Sequence, residues 1–553
     1  MQDRHLAYWP SSLPQHLTVP ATHLYYNVEV ASARFPDKPF LLFYDTPISF
    51  QRFHQETLCI AAYLQQVCGI KKGDRVLLYL QNSPQFVLAY YGILRADAVV
   101  VPVNPMNLDS ELRYLVEDTG ATVAFVAQDL MPAIRPLLGC GLTRLITVTY
   151  SDYLMRPSSQ TVPAVFAADR QAFDDTDITA WHEMLACALV PTSVTASSDD
   201  LCVMPYTSGT TGHPKGCMHT HRSVMYNAVA GAQWFGCQPD TVVLSVLPLF
   251  HVTGMQGTMN GPLYVGCTVV LLPRWDADAA AQLVEQHRIG VLHLIATMVI
   301  DFLANPRIDT YDLRSVQTIR GGGAAMPAAV AQQLQDRLGL PYVEGYGMSE
   351  TIAPTHLNPP QRAKPQCLGI PIFDVDARVI DPELLSEMAD GEVGEIIVCG
   401  PQIMQGYWNN AEASLAAFIT IDGKRFLRTG DLGRIDEDGY FFMVDRLKRM
   451  INSAGFKVWP AEVEAMMYQH PAIHEVCVFG VDDPRRGQSV TAAVVLKNGY
   501  GGQVSEQDLI DWTRSTMAAY KTPRRIEFME ALPKSGTGKI QWRALQERDT
   551  PKT

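Results

Sequence analysis

The sequence predicts an α/β protein: a large N-terminal domain of two doubly wound α/β subdomains plus a small β-rich subdomain, then a small α+β C-terminal domain. Three observations carry this. Short apolar runs alternate with helical patterns through the first half of the chain. Asp-Gly turn pairs crowd between residues 374 and 445. Beyond 445 the pattern becomes a short mixture of helices and strands.

Residues 75–80 (RVLLYL) form a buried strand, Ser83-Pro84 opens a helical pattern that runs to Arg95, and 98–103 (AVVVPV) is the next strand. Strand, helix and strand in this rhythm give parallel, doubly wound units. The rhythm returns at 242–247, 268–272, a helix over 278–287 and a strand near Val291. Two such units suggest two lobes facing across a cleft. Asp390-Gly391, Asp422-Gly423 and Asp438-Gly439 then punctuate short β-rich runs, as hairpin turns do. Past Asp445, 461–468 is helical, 475–481 and 491–496 are strands, and Ser505 to Asp508 reads as a capping box. The domain boundary is therefore placed between 447 and 448, giving domains 1–447 and 448–553.

With 553 residues, the chain exceeds what one hydrophobic core organises. It is 47% hydrophobic and 18% charged, a globular balance. A net charge of -13 argues against a nucleic-acid partner, which needs a basic face. No apolar run is long enough to span a bilayer, so the reading is cytoplasmic; peripheral membrane contact and a homodimer both stay compatible with it. The opening residues lack the basic and apolar regions of a signal peptide. The 11 cysteines are spread singly, which suits a reducing compartment rather than a disulfide frame or zinc site.

The densest chemical signal is Tyr206-Thr-Ser-Gly-Thr-Thr-Gly-His-Pro-Lys-Gly216, directly after the apolar run 201–204. Glycines and hydroxyls in succession let backbone amides and side chains converge on phosphate oxygens, with a lysine for charge. It is not a Walker loop, because Gly216 rather than Ser or Thr follows Lys215. Composition alone would read as a flexible linker; the order of residues argues otherwise. Further along stand Leu247-Pro-Leu-Phe-His251, Gly321-Gly-Gly-Ala324, Glu344-Gly-Tyr-Gly-Met-Ser-Glu350, Arg428-Thr-Gly-Asp431, Asp445-Arg-Leu-Lys448 and Leu532-Pro-Lys-Ser-Gly-Thr-Gly-Lys-Ile540.

These motifs, in this order, resemble the adenylate-forming superfamily, the acyl-CoA synthetases and AMP-binding enzymes. The likeness covers essentially the whole chain and leans toward medium- and long-chain fatty-acid:CoA ligases. It implies an enzyme that activates a carboxylic acid with ATP to an acyl-adenylate, releases pyrophosphate, and passes the acyl group to CoA. It also implies that the C-terminal domain is mobile.

Residue by residue, the resemblance implies that Thr207, Ser208, Gly209, Thr210, Thr211 and Lys215 cradle the phosphates. Glu350, with Thr211, would hold Mg²⁺, a hard cation suited to oxygen ligands. Gly322, Gly323, Ala324, Tyr346 and Gly347 would take the nucleoside, although a glycine run is equally an ordinary strand-to-helix turn. Asp431 would accept from the ribose hydroxyls and Arg446 would reach ribose or phosphate. Lys539, on a Gly-flanked loop, would neutralise charge shared by carboxylate and α-phosphate. Lys448 is the hinge position, while Gly455 and Lys457 would approach the pantetheine of CoA. Downstream of Lys539, the usual basic residue is Trp542, with Arg543 beside it.

His251 divides between a packed core histidine and a wall of the acyl-adenylate pocket. His219 and His221 read as helix-entry packing rather than a metal pair, because no third ligand is in view. The helix over 223–236 carries Ala228, Ala230, Gly231 and Ala232 before Trp234-Phe235. Small residues can leave an apolar channel, and Trp234 resembles an aromatic gate; close helix packing explains the same residues. A fatty acid is the expected substrate, with an aryl or arylalkenyl acid second. A ligase that loads a carrier protein would share every adenylation motif. A luciferase-like oxygenase would share the first half-reaction, and a nucleotide sensor would have lost the charged residues that this chain keeps.

Overall fold

The computed structural model describes residues 3–207, 214–323, 325–453, 456–483, 487–534 and 540–549. Ser208 to His213, Ala324, Ala454, Gly455 and Ser535 to Lys539 lie outside them. Two compact units result: Met1–Asp376 with Cys399–Leu427 and Asp438–Tyr440, and Ala377–Val398 with Arg428–Glu437 and Phe441–Thr553.

The first unit contains two large sheets. One has seven strands in the order Ile178–Ala180, Arg144–Val148, Val123–Ala127, Arg75–Tyr79, Val99–Pro102, Leu201–Val203 and His219–Thr220. Its pairings are parallel apart from the last, where Leu201 and Val203 run antiparallel to Thr220 and His219. The other has nine strands: Ile370–Pro371, His356–Leu357, Tyr342–Tyr346, Thr318–Gly322, Val291–His293, Val242–Ser245, Thr268–Leu271, Pro39–Phe43 and Thr46–Ser49. Its middle is parallel and both edges are antiparallel.

The helix Pro84–Arg95 forms as its sequence predicts: Ser83 accepts the Phe86 N–H at 3.2 Å, Pro84 fits the first turn, and every residue is buried. With helix Phe50–Gln66 it belongs to one apolar core that takes in Val76 and Leu78 of the first sheet and Phe40, Val269 and Leu271 of the second. Both expected doubly wound units are present, and this core joins them. A helix apolar all round is satisfied only between two layers, so the two sheets share a core.

In the second unit, strand Gly487–Leu496 pairs with Ile473–Asp483, Ile451–Ser453 and Arg525–Phe528. Val476, Val478, Val490, Ala492 and Val494 form its core with Leu509 and Ile510 of helix Glu506–Thr516. The predicted capping box is present: Ser505 Oγ accepts the Asp508 N–H at 3.2 Å, and Asp508 accepts the Ser505 N–H at 2.9 Å. Asp422-Gly423 makes the expected hairpin, with both residues at positive φ between Ile421 and its partner Lys424.

Candidate active site

The glycine-rich loop leaves strand Leu201–Val203, which neighbours the edge strand His219–Thr220, on a built stem. Tyr206 and Gly216 form an antiparallel bridge, the Thr207 N–H donates to the Lys215 carbonyl at 2.9 Å, and the Lys215 N–H donates to Thr207 Oγ1 at 3.1 Å. The Tyr206 hydroxyl donates to Asp118 at 2.5 Å and the Tyr114 hydroxyl to the Pro214 carbonyl at 2.9 Å. The segment 405–408 runs alongside through an isolated antiparallel bridge between Cys217 and Tyr407: Met218 and Gly406, Gln405 and Met218, and Trp408 and Gly216 are joined by backbone bonds of 2.8–3.0 Å. The loop's two ends are thus fixed as a ladder, which a flexible linker would lack.

That ladder brings Tyr407 to the site. The Lys215 ammonium lies 4.8 Å from the Tyr407 ring centroid, and the Tyr407 hydroxyl donates to Glu350 at 2.8 Å. Lys215 and Glu350, far apart in sequence, therefore meet through one tyrosine. The sequence reading missed Tyr407. Its only local signal is the run Gly406-Tyr407-Trp408, and its value depends on pairing with a loop about two hundred residues earlier.

Glu350 sits half-buried in the 3-10 turn Ser349–Thr351. Ile352 and Ala353, which follow it, have positive φ of 44° and 52°, a costly region for a β-branched residue. Buried Asn227 offsets that cost with the two N–H groups of its amide, shared among the carbonyls of Thr351 at 3.0 Å, Ile352 at 2.9 Å and Ala353. This second missed residue makes helix His221–Trp234 a support for the Glu350 turn.

Strand Thr318–Gly322 brings the glycine segment beside strand Tyr342–Tyr346. A Cβ on Gly322 would fall 2.4 Å from the Gly345 carbonyl oxygen, and one on Gly347 2.9 Å from Pro354 Cα. Glycine is needed at both positions by close backbone approach. The Tyr346 ring stands 5.6 Å from His356, tilted by 59°. Buried Glu344, one strand position past Val343, accepts the Met326 N–H at 3.1 Å; burial pushes its carboxyl up to about 7.

His219 and His221 are not a metal pair. His219 Nε2–H donates to the Ser349 carbonyl at 2.7 Å, and His221 Nδ1 accepts the Leu24 N–H at 3.0 Å. Burial lowers each to about 4, so both are neutral packing groups. Among the described residues no group of three His, Cys, Asp or Glu could hold a metal. Half-buried His251 uses Nδ1 to accept the Thr253 N–H at 3.3 Å, capping helix Val252–Met255. Trp234 is not a free gate: it is 3% exposed, its indole N–H donates to the Asn358 carbonyl at 3.0 Å, and its ring packs edge-on against Trp9 and Phe373. No described helix is long and apolar enough to cross a membrane.

In the second unit, Asp431 is 3% exposed and meets Arg446 at 3.1 Å across paired strands. Lys448 is exposed on the turn Leu447–Arg449. The Lys457 backbone pairs with Asn452 in the strand Phe456–Val458. Ser208, Gly209, Thr210, Thr211, Ala324, Gly455 and Lys539 lie outside the described residues.

The AMP-binding enzyme family model matches residues 28–408, and the AMP-binding enzyme C-terminal domain model matches 462–539. A long-chain-fatty-acid–CoA ligase of Bacillus subtilis (strain 168) is 36% identical over 99% of this chain and 98% of its own length. Among solved structures, the anthranilate CoA ligase AuaEII in complex with anthranoyl-AMP superposes with a TM-score of 0.81 at 26% identity, covering 98% of each chain. ATP-bound MatB from Rhodopseudomonas palustris gives a TM-score of 0.81 at 27% identity, over 94% of this chain and 99% of that one. The chain belongs to the AMP-binding enzymes, as an adenylate-forming acyl-CoA ligase.

Proposed function

We propose that this enzyme activates a medium- or long-chain fatty acid. A carboxylate oxygen attacks the α-phosphorus of ATP, the bond to the bridging oxygen breaks, and pyrophosphate leaves. The thiol sulfur of CoA then attacks the acyl carbon, loses its proton, and displaces AMP. The observation that carries the reading is the Lys215–Tyr407–Glu350 arrangement at the stem of the glycine-rich loop. Two anions must meet in the first step, so a cation and a carboxylate held in fixed positions beside a phosphate cradle are what the chemistry needs. The similarity to the Bacillus long-chain ligase supports the fatty-acid choice; that to the anthranilate ligase keeps an aryl acid as the second reading.

Magnesium fits the donor set, because it binds through one or two carboxylates and the substrate's own phosphates. Glu350 and Thr211 would hold it, and when bound it supplies charge neutralisation on the phosphates. Thr207 and Lys215 orient the departing phosphates, with Lys215 fixed over the Tyr407 ring. Gly322, Gly323 and Gly347 admit the nucleoside by close backbone approach, beside Tyr346. Asp431 accepts from ribose hydroxyls with Arg446 as its partner. Lys539 supplies the adenylation charge, and His251 walls the acyl-adenylate. We assign Lys448 as the hinge of a mobile domain 448–553, which turns to bring Gly455 and Lys457 to the pantetheine.

The test is acid-dependent pyrophosphate release across fatty and aryl acids, with and without CoA. Release with fatty acids and CoA-dependent acyl-CoA formation are expected. Release confined to aryl acids would favour the second reading, and release without any acyl-CoA would point to a carrier-protein acceptor.

A further inference from the structure

Arg320 lies on strand Thr318–Gly322, immediately before the glycine segment, and is 6% exposed. Its Nε–H donates to His293 Nε2 at 2.6 Å, and its guanidinium carbon stands 3.9 Å from the Phe235 ring centroid. Among the described residues it has no ion pair with a carboxylate, and its Nη1 is buried with no hydrogen-bond partner. The buried carboxyl on the neighbouring strand does not balance it. Glu344 pairs with Gly321, and successive strand residues face opposite sides, so Glu344 and Arg320 lie on opposite faces of the sheet.

An arginine buried without a counter-ion is costly, yet this one is held in place. His293 accepts from it as a neutral ring, kept well below its usual pKa by burial and by Arg320 itself. The ring has room only because residue 257 is glycine: a Cβ there would fall 2.4 Å from His293 Cε1. The π-turn Gln256–Asn260 thus packs against the imidazole that strand Val291–His293 carries, and that imidazole aims the guanidinium.

The helix His221–Trp234 connects this guanidinium to the Glu350 turn. Asn227, Gly231 and Phe235 follow one another at four-residue spacing and share a face. Asn227 holds the carbonyls just after Glu350, a Cβ at Gly231 would meet nothing within 4 Å, and Phe235 stacks under Arg320. Eight residues at 1.5 Å each separate the two ends by about 12 Å, the reach of a medium-length acyl chain.

We infer that Arg320 anchors an oxygen acceptor at the far end of the substrate acid, a second carboxylate above all. This rests on the acid-activating reading and narrows it: the preferred substrates are medium-chain acids with an oxygen function at both ends. An unpaired buried donor selects strongly for the ligand that satisfies it, because any other ligand leaves it unpaired.

The experiment is pyrophosphate release by the full chain with a medium-chain monocarboxylic acid and the α,ω-dicarboxylic acid of equal length. Wild type is expected to favour the diacid in kcat/KM by about tenfold or more. Arg320→Met should remove that preference through KM for the diacid while changing kcat/KM for the monoacid less than about threefold. Equal kcat/KM for the two acids in wild type, or a diacid preference that survives in Arg320→Met, would overturn the inference and leave acid activation intact. Should Arg320→Met not fold, the wild-type comparison decides alone. Pyrophosphate release that no added acid increases would sink acid activation and this inference together.

Discussion

Arg449 in the second unit and Arg320 in the first are both largely withdrawn from water, and they differ in what surrounds them. Arg449 pairs with Glu464, stands 3.8 Å from Asp445 and donates to the Val478 carbonyl at 3.0 Å. The two acids in turn accept the Ala461 N–H at 2.6 Å and the Val478 N–H at 2.7 Å. That cluster holds opposite charges together: Arg449 stands between two carboxylates, each with a backbone donor, although its own Nε is buried without a partner. Arg320 has an imidazole and a ring. Glu344, its counterpart of opposite sign, has backbone donors from Met326 and Gln366. The contrast separates charges that hold a fold together from charges kept for something else. Charges with an opposite partner offset part of their desolvation internally, burial still holding the Asp445 and Glu464 carboxyls above their usual range, whereas charges without one persist where a ligand completes them.

The largest effect should come from breaking the balanced cluster. Arg449→Met strands Asp445 and Glu464, and should cost about 3–5 kcal/mol of stability. Denaturant midpoints would show it, and a loss below about 1 kcal/mol would mean the acids are not held by that arginine.

The next effect belongs to Glu344. Burial lifts its carboxyl from 4.5 to about 7, so between those values the folded state binds the extra proton. Stability from this group is full below about 4.5 and falls as pH rises through about 7, a difference of at most about 3 kcal/mol. Glu344→Gln keeps an acceptor for the Met326 N–H and cannot ionise. Its stability relative to wild type should therefore be higher at pH 8 than at pH 5. Parallel pH profiles for the two proteins would remove Glu344 from the set of unbalanced charges.

How far this was legible in the sequence follows from the same division. Features made by neighbours in the chain were readable: the Ser83-Pro84 helix start, the Asp422-Gly423 hairpin and the Ser505 capping box all formed as expected. Features made by distant partners were not. Tyr407 acquires meaning only when strand pairing lays it beside Lys215, and Asn227 only when its helix reaches the turn after Glu350. Trp234 stayed open between two readings because aromatic and small residues on a helix look alike whether they line a channel or pack against Trp9 and Phe373. Arg320 hid beside three glycines that drew the motif reading, and no sequence pattern shows that a charge lacks a counter-ion.

Glu350 lies between the extremes, a half-buried carboxylate that a tyrosine holds near a lysine. Tyr407→Phe keeps the ring against Lys215 and deletes the donor to Glu350, a loss of about 1–2 kcal/mol. Pyrophosphate release should need several-fold more magnesium for half-maximal rate, with the denaturant midpoint barely moved. An unchanged magnesium dependence would make Tyr407 a packing residue of the stem.

The smallest expected effect is the sharpest test of the comparison. In the ligand-free protein, Arg320→Met exchanges an uncompensated buried charge for an apolar chain that can still lie over Phe235. Removing an arginine normally costs stability by stranding its acid, as at Arg449. Here there is no ion pair to break among the described residues, so the change should lie within about 1 kcal/mol of zero and fall on the stabilising side. Denaturant unfolding of wild type and variant, each with and without a medium-chain diacid, measures both halves of the idea. The ligand-free curves should nearly coincide, and only wild type should shift upward with diacid, because only its folded state binds it. A loss of 3 kcal/mol or more in the ligand-free variant would show that Arg320 is a structural charge like Arg449, and the two regions would then obey one rule.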